Sequence, residues 1–229
     1  MRDIDVVILC GGKGTRLQKV VDDRPKPMAD IHGRPFLDIL IDYVSSFGLR
    51  RFILCTGYMG DQIEEFYRQE DGSRTFLFSR EAIPLGTGGA LKNAELVIQS
   101  NPFLVMNGDS FCPVEIDALL DVHLNRKALA TMTVSQSDNA ADFGSIIMDA
   151  ESRITVFREK IPSRNSLINA GVYLMDRRVL SLIVPGVPTS LENDLFPGLI
   201  DKDFYGYRTR GSVIDIGTPE RYDLAKRLL

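Results

Sequence analysis

The stretch Val6–Leu17 has the sequence VVILCGGKGTRL, in which a short apolar run passes directly into a glycine-rich loop. The length of the run and its β-branched residues predict a strand that is buried on both faces, as in a parallel sheet. Runs of the same character follow at Phe52–Leu54 and Phe103–Met106. Helical patterns lie between these runs, near Pro35–Phe47, Asp61–Arg68 and Thr87–Gln99. This alternation predicts an α/β fold with a parallel sheet.

The ends of the first predicted helix are marked by residue chemistry as well as by periodicity. Pro35 suits the first turn of a helix, and Gly48 suits the position after its last turn. Both residues therefore support a helix between them.

The second half of the chain has a different pattern. Four strand-like segments with few helices between them are followed by short helices and a last strand; the five strands are Ala128–Val134, Gly144–Met148, Ile154–Phe157, Ile168–Met175 and Val213–Ile216. No repeat, low-complexity segment or linker composition separates the halves. We therefore predict one domain over residues 1–229, in which residues 128–229 form a mixed α/β addition to the first half.

Composition narrows the choice of partners and compartment. The formal charge of −4 and the pI near 5.3 argue against a surface for nucleic acid or anionic membranes, since such surfaces need clustered Lys and Arg. Cys10, Cys55 and Cys112 each stand at the end of an apolar run, which predicts reduced core thiols. The N-terminal apolar stretch is too short for a signal peptide or a membrane span. We expect a cytoplasmic protein, and the sequence leaves its oligomeric state open.

The glycine-rich loop has the composition of a phosphate site. Glycines allow backbone N–H groups to approach an anion closely, and Lys13, Arg16 and Lys26 add positive charge. A Walker A loop would end in Gly-Lys-Ser/Thr, and a dinucleotide fingerprint would need a third glycine at Leu17, so neither motif fits. The simpler alternative is a glycine-rich turn whose cations are solvated.

Two aspartates follow predicted strands. Asp109 lies in Asn107-Gly108-Asp109, and Asp215 lies in the segment IDIGTP at residues 214–219. Open α/β sheets present ligand-binding groups at strand ends, and Mg²⁺ prefers one or two carboxylates together with phosphate oxygens. Each aspartate taken alone also has a structural explanation, as a turn former or as a helix N-cap.

The motif GGKGTRL at residues 11–17, followed by PKPM at residues 25–28, resembles the signature of the sugar-phosphate nucleotidylyltransferases, and the resemblance covers nearly the whole chain. It implies a Rossmann-like, GT-A-like nucleotide-diphospho-sugar transferase fold with a mixed, mostly parallel sheet. It also implies a Mg²⁺-dependent enzyme that joins a nucleoside monophosphate from an NTP to a sugar 1-phosphate and releases pyrophosphate. Residues 1–127 would be the nucleotide-binding half and residues 128–229 the sugar-phosphate-binding half.

The resemblance also implies roles for individual residues. Arg16 would contact the phosphates that leave as pyrophosphate, Lys26 the reacting phosphates, and Asp109 and Asp215 the metal. The nucleotide-binding set would be Leu9, Gly11, Gly12, Gly14, Thr15, Glu81, Gly86, Thr87 and Gly108. On the acceptor side the set would be Gly144, Glu159, Lys160 and Asn169, with Lys160 on the phosphate. Val213 is a departure, since many relatives carry Trp there.

Glu81 is the candidate for base selection. A carboxylate can accept two hydrogen bonds from guanine, at N1–H and the exocyclic amine, whereas uracil and thymine offer one N–H on that edge. GTP is therefore favoured, and the alternative is an ordinary surface glutamate. Thr87 is expected to cap the following helix. Glu192 can face the sugar, although a capped helix start at Ser190 explains it equally well.

The resemblance is greatest to short bacterial guanylyltransferases that act on D-glycero-α-D-manno-heptose 1-phosphate. It rests on the patterns at Glu81–Ala90, Asn107–Asp109, Glu159–Lys160 and Ile168–Leu174. Mannose 1-phosphate, or N-acetylmuramic acid 1-phosphate with UTP, would fit the same framework. Two alternatives come from other classes. A glycosyltransferase would more often show Asp-x-Asp at the strand end, and a catalytically silent nucleotide-sugar sensor would be expected to have lost one of the four charged residues Arg16, Lys26, Asp109 and Asp215.

Overall fold

The computed structural model describes residues 4–68, 72–137, 145–158 and 166–229. The strands are β1 (Asp5–Leu9), β2 (Asp30–Ile31), β3 (Arg34–Pro35), β4 (Arg51–Thr56), β5 (Thr75–Arg80), β6 (Phe103–Asn107), β7 (Ser110–Phe111), β8 (Ala130–Ser137), β9 (Ser145–Met148), β10 (Ile154–Arg158), β11 (Ser166–Met175), β12 (Phe204–Arg208) and β13 (Ile214–Asp215). The α-helices are α1 (Phe36–Ser46), α2 (Gly60–Tyr67), α3 (Gly86–Asn93), α4 (Ile116–Asn125), α5 (Phe196–Leu199) and α6 (Pro219–Leu228). Shorter 3₁₀ segments lie at Leu17–Lys19, Lys26–Met28 and Arg177–Leu182, and a π-helical turn lies at Leu191–Leu195.

Both halves of the chain contribute to the main sheet. Its strand order is β12-β8-β11-β6-β1-β4-β5, and the β9–β10 hairpin extends from the first residues of β11. Strands β6, β1, β4 and β5 are parallel, whereas β11 runs antiparallel to β6 and β8. The predicted α/β class and mixed, mostly parallel sheet are therefore confirmed.

The register of the parallel strands brings several loops to one edge of the sheet. Leu9 at the end of β1 pairs with Asn107 of β6 and with Cys55 of β4. Thr56 of β4 pairs with Arg80 of β5. The loops after these four strands therefore open side by side at their carboxyl ends, where open α/β sheets bind ligands.

The sheet separates two hydrophobic layers. Successive residues of a strand point to opposite faces, so Val6 and Ile8 of β1 pack in one layer and Val7 in the other. Helix α1 covers the first layer with Leu37, Leu40, Ile41 and Val44. It begins directly after Pro35, and Gly48 follows its end with φ +85°, as predicted. Cys10, Cys55 and Cys112 are buried free thiols, which agrees with the expectation for core cysteines.

Some elements differ from the sequence prediction. The third helix ends at Asn93 and not at Gln99, because the chain continues in turns in which Val97 and Ile98 both donate to the Ala94 carbonyl oxygen. Strand β12 was not predicted, and Gly206 within it weakens a strand pattern. A β-carbon at Gly206 would lie 2.0 Å from the Met148 sulfur. This glycine therefore allows the close approach of β9.

None of the helices in the described parts of the chain combines the length and apolarity that a membrane crossing needs.

His123 provides a test of the packing between α4 and β8. Its side chain is 3% exposed, and its Nδ1 lies 2.9 Å from the Thr131 hydroxyl oxygen. Burial lowers the pKa of His123 to about 4, against about 6.5 in the unfolded chain. Because the folded pKa is depressed, the unfolded state binds the proton more tightly, and stability is lost as the pH falls from about 6.5 towards 4.

We expect this histidine alone to make the fold about 2 kcal/mol less stable at pH 5 than at pH 7. Urea unfolding of the wild type and of His123→Gln at both pH values measures this contribution, since glutamine does not titrate. Equal pH dependence of the two proteins would contradict the assignment.

Candidate active site

A cavity of about 720 Å³ lies at the carboxyl ends of β1, β4, β5 and β6. Most of the residues predicted for the nucleotide line it: Leu9, Gly11, Gly12, Gly14, Thr15, Arg16, Lys26, Glu81, Gly86, Thr87 and Asp109. Gly108, Asp215 and Asn169 do not line the cavity, although Gly108 and Asp215 adjoin residues that do. Gly144, Glu159 and Lys160 lie outside the described residues. The structure therefore brings most of the predicted nucleotide site together and leaves the predicted acceptor side largely undescribed.

The glycine-rich loop is held by its neighbours and presents its cations outward. Leu17 is buried, and its N–H donates to the Gly14 carbonyl oxygen at 2.9 Å, which starts the 3₁₀ turn. Gly14 has φ +61°, and a β-carbon there would come within 3.0 Å of the Lys26 β-carbon. Glycine is therefore required on both steric and conformational grounds. Lys13 and Arg16 remain exposed at the cavity.

Lys26 and Asp109 form an ion pair within the cavity. The distance from Lys26 Nζ to Asp109 Oδ2 is 2.6 Å, and the side chains are 11% and 43% exposed. A β-carbon at Gly217 would lie 3.6 Å from both Lys26 Nζ and Arg16 Nη2. The cations of Arg16 and Lys26 and the carboxylate of Asp109 therefore lie close together beside Gly217.

Asp215 reaches the same place through strand pairing. It pairs with Ser110 across β13 and β7, and the Ile216 N–H donates to the Asp109 carbonyl oxygen at 3.0 Å. The Asp215 carboxylate accepts from the Gly217 N–H at 2.8 Å. Thr218, and not Asp215, caps helix α6, so the structural alternative of an N-cap at Asp215 is wrong.

The two aspartates have donors that fit a divalent cation bound together with phosphates. Asp109 lies in the turn between β6 and β7, directly before Ser110, which pairs with Asp215 of β13. Carboxylate oxygens are ligands that Mg²⁺ accepts. Among residues 4–68, 72–137, 145–158 and 166–229, no three His, Cys, Asp or Glu side chains are grouped closely enough to hold a metal.

Glu81 is packed tightly against two glycines. Its Oε2 accepts from the Leu85 N–H at 2.9 Å, and β-carbons at Gly11 and Gly57 would lie 2.8 and 2.6 Å from its Oε1. Desolvation raises the pKa of Glu81, and the Leu85 N–H opposes that rise. Sequence reasoning missed Gly57 and Tyr58, which also line the cavity. The available signal was a glycine three residues beyond the second predicted strand, which in the structure directly follows β4.

Thr87 does not cap helix α3. The helix begins at Gly86, and its first free N–H groups, from Gly88 and Gly89, donate to the Thr189 carbonyl oxygen at 2.8 and 3.1 Å. The Thr87 hydroxyl instead donates to Glu192 Oε2 at 2.8 Å. The predicted cap was wrong because the acceptor is a backbone carbonyl about a hundred residues away, which no local pattern reveals.

Of the two sequence explanations of Glu192, the capped helix start is confirmed, and contact with the sugar stays a prediction. The Ser190 side chain caps the π-helical turn by accepting from the Glu192 and Asn193 N–H groups. The Glu192 side chain nevertheless lines the cavity. Glu192 therefore belongs to a helix start and to the candidate site together.

The side chain of Asn169 forms two hydrogen bonds with other residues of β11. Its Nδ2 donates to the Tyr173 hydroxyl at 2.8 Å, and its Oδ1 accepts from the Gly171 N–H at 2.9 Å. Nearby, Asn107 lines the cavity and has a buried Oδ1 that no described residue satisfies. Asn107, which sequence reasoning did not select, thus offers an unused acceptor beside the cavity.

A second cavity, of about 880 Å³, lies beside α1 and α2 and contains none of the predicted site residues. Its three arginines are each paired with a carboxylate: Arg24 with Asp23 at 2.7 Å, and Arg34 and Arg74 with Asp42 at 2.5 and 2.6 Å. The converging cations and carboxylates of the smaller cavity make it the stronger candidate for chemistry on phosphates.

Comparisons with known proteins point to the same chemistry. The family described as Nucleotidyl transferase matches residues 5–227. The D-glycero-alpha-D-manno-heptose 1-phosphate guanylyltransferase of Aneurinibacillus thermoaerophilus is 33% identical over 227 residues, which are 99% of this chain and 98% of that protein. The mannose-1-phosphate guanylyltransferase of Mycobacterium tuberculosis is 34% identical over 226 residues, which are 96% of this chain and 62% of that protein.

The crystal structure of HddC from Yersinia pseudotuberculosis, complexed with GMP-PN, has a TM-score of 0.86 and 34% identity to this chain. The match covers 98% of this chain and 99% of that one. This likeness confirms the Rossmann-like fold that the sequence motifs implied.

Proposed function

Because this chain belongs to the nucleotidyl transferase family, we propose that it transfers GMP from GTP to D-glycero-α-D-manno-heptose 1-phosphate and releases pyrophosphate. Its reaction class is transfer of a nucleoside monophosphate from an NTP to a sugar 1-phosphate. The observation that carries the proposal is the convergence of Arg16, Lys26 and Asp109 in one cavity with the glycine-rich loop.

The reaction is an in-line attack by a phosphate oxygen of the sugar 1-phosphate on the α-phosphorus of the NTP. Such chemistry depends on positioning and on neutralising charge, and it needs no protein nucleophile. Lys26 lies where it can leave Asp109 for the α-phosphate and so reduce the repulsion between two anionic substrates. Arg16, exposed at the cavity, stabilises the leaving pyrophosphate.

Asp109 and Asp215 would hold a Mg²⁺ ion, which when bound neutralises charge on the phosphate oxygens. The fit rests on two carboxylates, Asp215 at the end of β13 and Asp109 directly before β7, which lie close to the cations Arg16 and Lys26. Residues 1–127 supply the nucleotide side in this proposal, and residues 128–229 supply the acceptor side, including Asn169.

Guanine selection is assigned to Glu81. Its Oε1 lies in the gap that Gly11 and Gly57 leave, and its Oε2 keeps one lone pair beyond the bond from Leu85. The carboxylate can therefore accept from guanine N1–H and the exocyclic amine. The name of the ligand in the 34% identical solved structure, GMP-PN, is consistent with a guanine nucleotide at such a site.

Glu81→Gln is expected to lower kcat/KM for GTP by about 5- to 150-fold, since a lost bidentate base contact is worth about 1–3 kcal/mol. The amide replaces one acceptor with a donor that faces the guanine donors. Kinetics with GTP and UTP for both proteins measure the change. Activity with UTP should fall much less, and an equal loss with both nucleotides would remove Glu81 from base selection.

The acceptor sugar has two supported candidates. The relatives of 33% and 34% identity act, by their names, on heptose and mannose 1-phosphates. The pattern at Ile168–Leu174 favours the heptose, and mannose 1-phosphate is the second candidate.

Pyrophosphate release with Mg²⁺ tests the proposal directly when GTP, UTP, dTTP, ATP and CTP are each combined with heptose, mannose, glucose and N-acetylmuramic acid 1-phosphates. Release with GTP and the heptose phosphate is expected. Release with another pair would support the proposed type of reaction but show that the proposed nucleotide or sugar is wrong. No release with any pair would favour a silent nucleotide-sugar sensor.

A further inference from the structure

The carboxylate of Asp215 is already paired with a cation of the protein. Arg221 Nη1 lies 3.2 Å from Asp215 Oδ1 and 3.0 Å from Oδ2. The two side chains are only 22% and 15% exposed. At this exposure water and salt screen their attraction weakly. Arg221 therefore lies against both of the oxygens that a metal ion could bind.

The backbone fixes Arg221 in this position. Thr218 caps helix α6 by accepting from the Arg221 N–H, and Pro219 begins the helix. The guanidinium thus projects from the first turn of a helix directly towards the residue that ends β13. Arg221 stands two residues beyond the segment IDIGTP, so no motif in the sequence singled it out.

Asp109, the other proposed metal ligand, is also paired with a cation of the protein. Lys26 Nζ is 2.6 Å from Asp109 Oδ2, so each carboxylate faces a cation of the protein. Arg16 Nη2 and Lys26 Nζ also approach Gly217, the residue that donates to Asp215. A free divalent cation that approaches Asp215 must therefore displace or tolerate positive charge that is already there.

We propose that Arg221 is a positioning residue that holds Asp215 in the nucleotide-free protein and lowers its affinity for a free divalent cation. The cation is then bound tightly only together with the triphosphate, whose negative charge offsets the repulsion and offers the guanidinium other oxygens. This inference rests on the proposed function, because it takes Asp215 as a metal ligand.

The test is the affinity of the nucleotide-free protein for Mn²⁺, measured by electron paramagnetic resonance of the unbound ion. A charge within about 4–6 Å changes the binding constant of a proton by about 10- to 1000-fold, so Arg221→Gln is expected to bind Mn²⁺ at least about tenfold more tightly. Arg221→Lys, which keeps the charge, should stay close to the wild type.

Arg227→Gln is the matched control, since it makes the same charge change on the same helix and is expected to alter Mn²⁺ affinity little. Adding Asp215→Asn to Arg221→Gln should abolish the gain. An unchanged or weaker affinity in Arg221→Gln would overturn the proposal, and so would undetectable Mn²⁺ binding by both proteins. A gain that survives Asp215→Asn would also overturn it.

These measurements use no nucleotide or sugar, so a wrong substrate assignment cannot alter them. Failure of the proposed function would appear instead as absence of pyrophosphate release by the wild type.

Discussion

Asp109→Asn is expected to reduce turnover by about 10²-fold or more, which is the size of effect seen when a main electrostatic contributor is removed. Asp109 lies two residues beyond the end of β6, lines the cavity and pairs with Lys26 at 2.6 Å. Asparagine keeps the shape of the side chain but loses the charge that a divalent cation needs. Initial rates of pyrophosphate release at saturating substrates measure the loss.

The control for Asp109→Asn is Asp121→Asn, which makes the same change at an exposed position of α4. It should retain wild-type turnover. Both variants should show the circular dichroism of the wild type, because the Asp109 side chain is 43% exposed and asparagine has nearly the same shape. Near-normal turnover of a folded Asp109→Asn would refute its assignment as a metal ligand.

Lys26→Ala is expected to lower kcat/KM by about 10²- to 10³-fold. The ammonium group is only 11% exposed and sits between the glycine-rich loop and the proposed metal site. Its loss removes the charge that allows two anionic substrates to approach, and it also leaves Asp109 without its partner. Steady-state kinetics with both substrates varied measure the effect.

The double variant Lys26→Ala with Asp109→Asn tests whether the two residues act together in catalysis or independently. Residues that act as a unit give losses that do not add, so the double variant should be little worse than the poorer single variant. Lys202→Ala, at an exposed position, is the control and should be unaffected. Losses that multiply fully would contradict a joint role of the pair.

Local sequence patterns were sufficient to predict the parts of the site whose residues directly follow a strand. The glycine-rich loop follows β1 directly, and Glu81 follows β5, so the parallel register alone brings them to one edge of the sheet. Pro35 and Gly48 mark the ends of α1 for similarly local reasons. Proline fixes its own φ, and glycine readily adopts a positive φ. These parts of the fold and site could be predicted from the chain itself.

Other parts of the site depend on contacts between distant segments. The Thr189 carbonyl oxygen caps α3, and the Thr87 hydroxyl is used by Glu192. Arg221 pairs with Asp215 only because the turn after β13 folds α6 back on it. No periodicity or motif records such pairings, because their partners are chosen by tertiary packing.

Transfer of a nucleoside monophosphate requires the protein to break the bond between the α- and β-phosphates of an NTP. Phosphorus NMR of the protein with GTP, Mg²⁺ and D-glycero-α-D-manno-heptose 1-phosphate follows every phosphate in one sample. Equal amounts of pyrophosphate and a new sugar diphosphate ester are expected, with loss of the sugar 1-phosphate signal. Orthophosphate with GDP as the products, or unchanged signals with every sugar phosphate and nucleotide offered, would contradict that expectation.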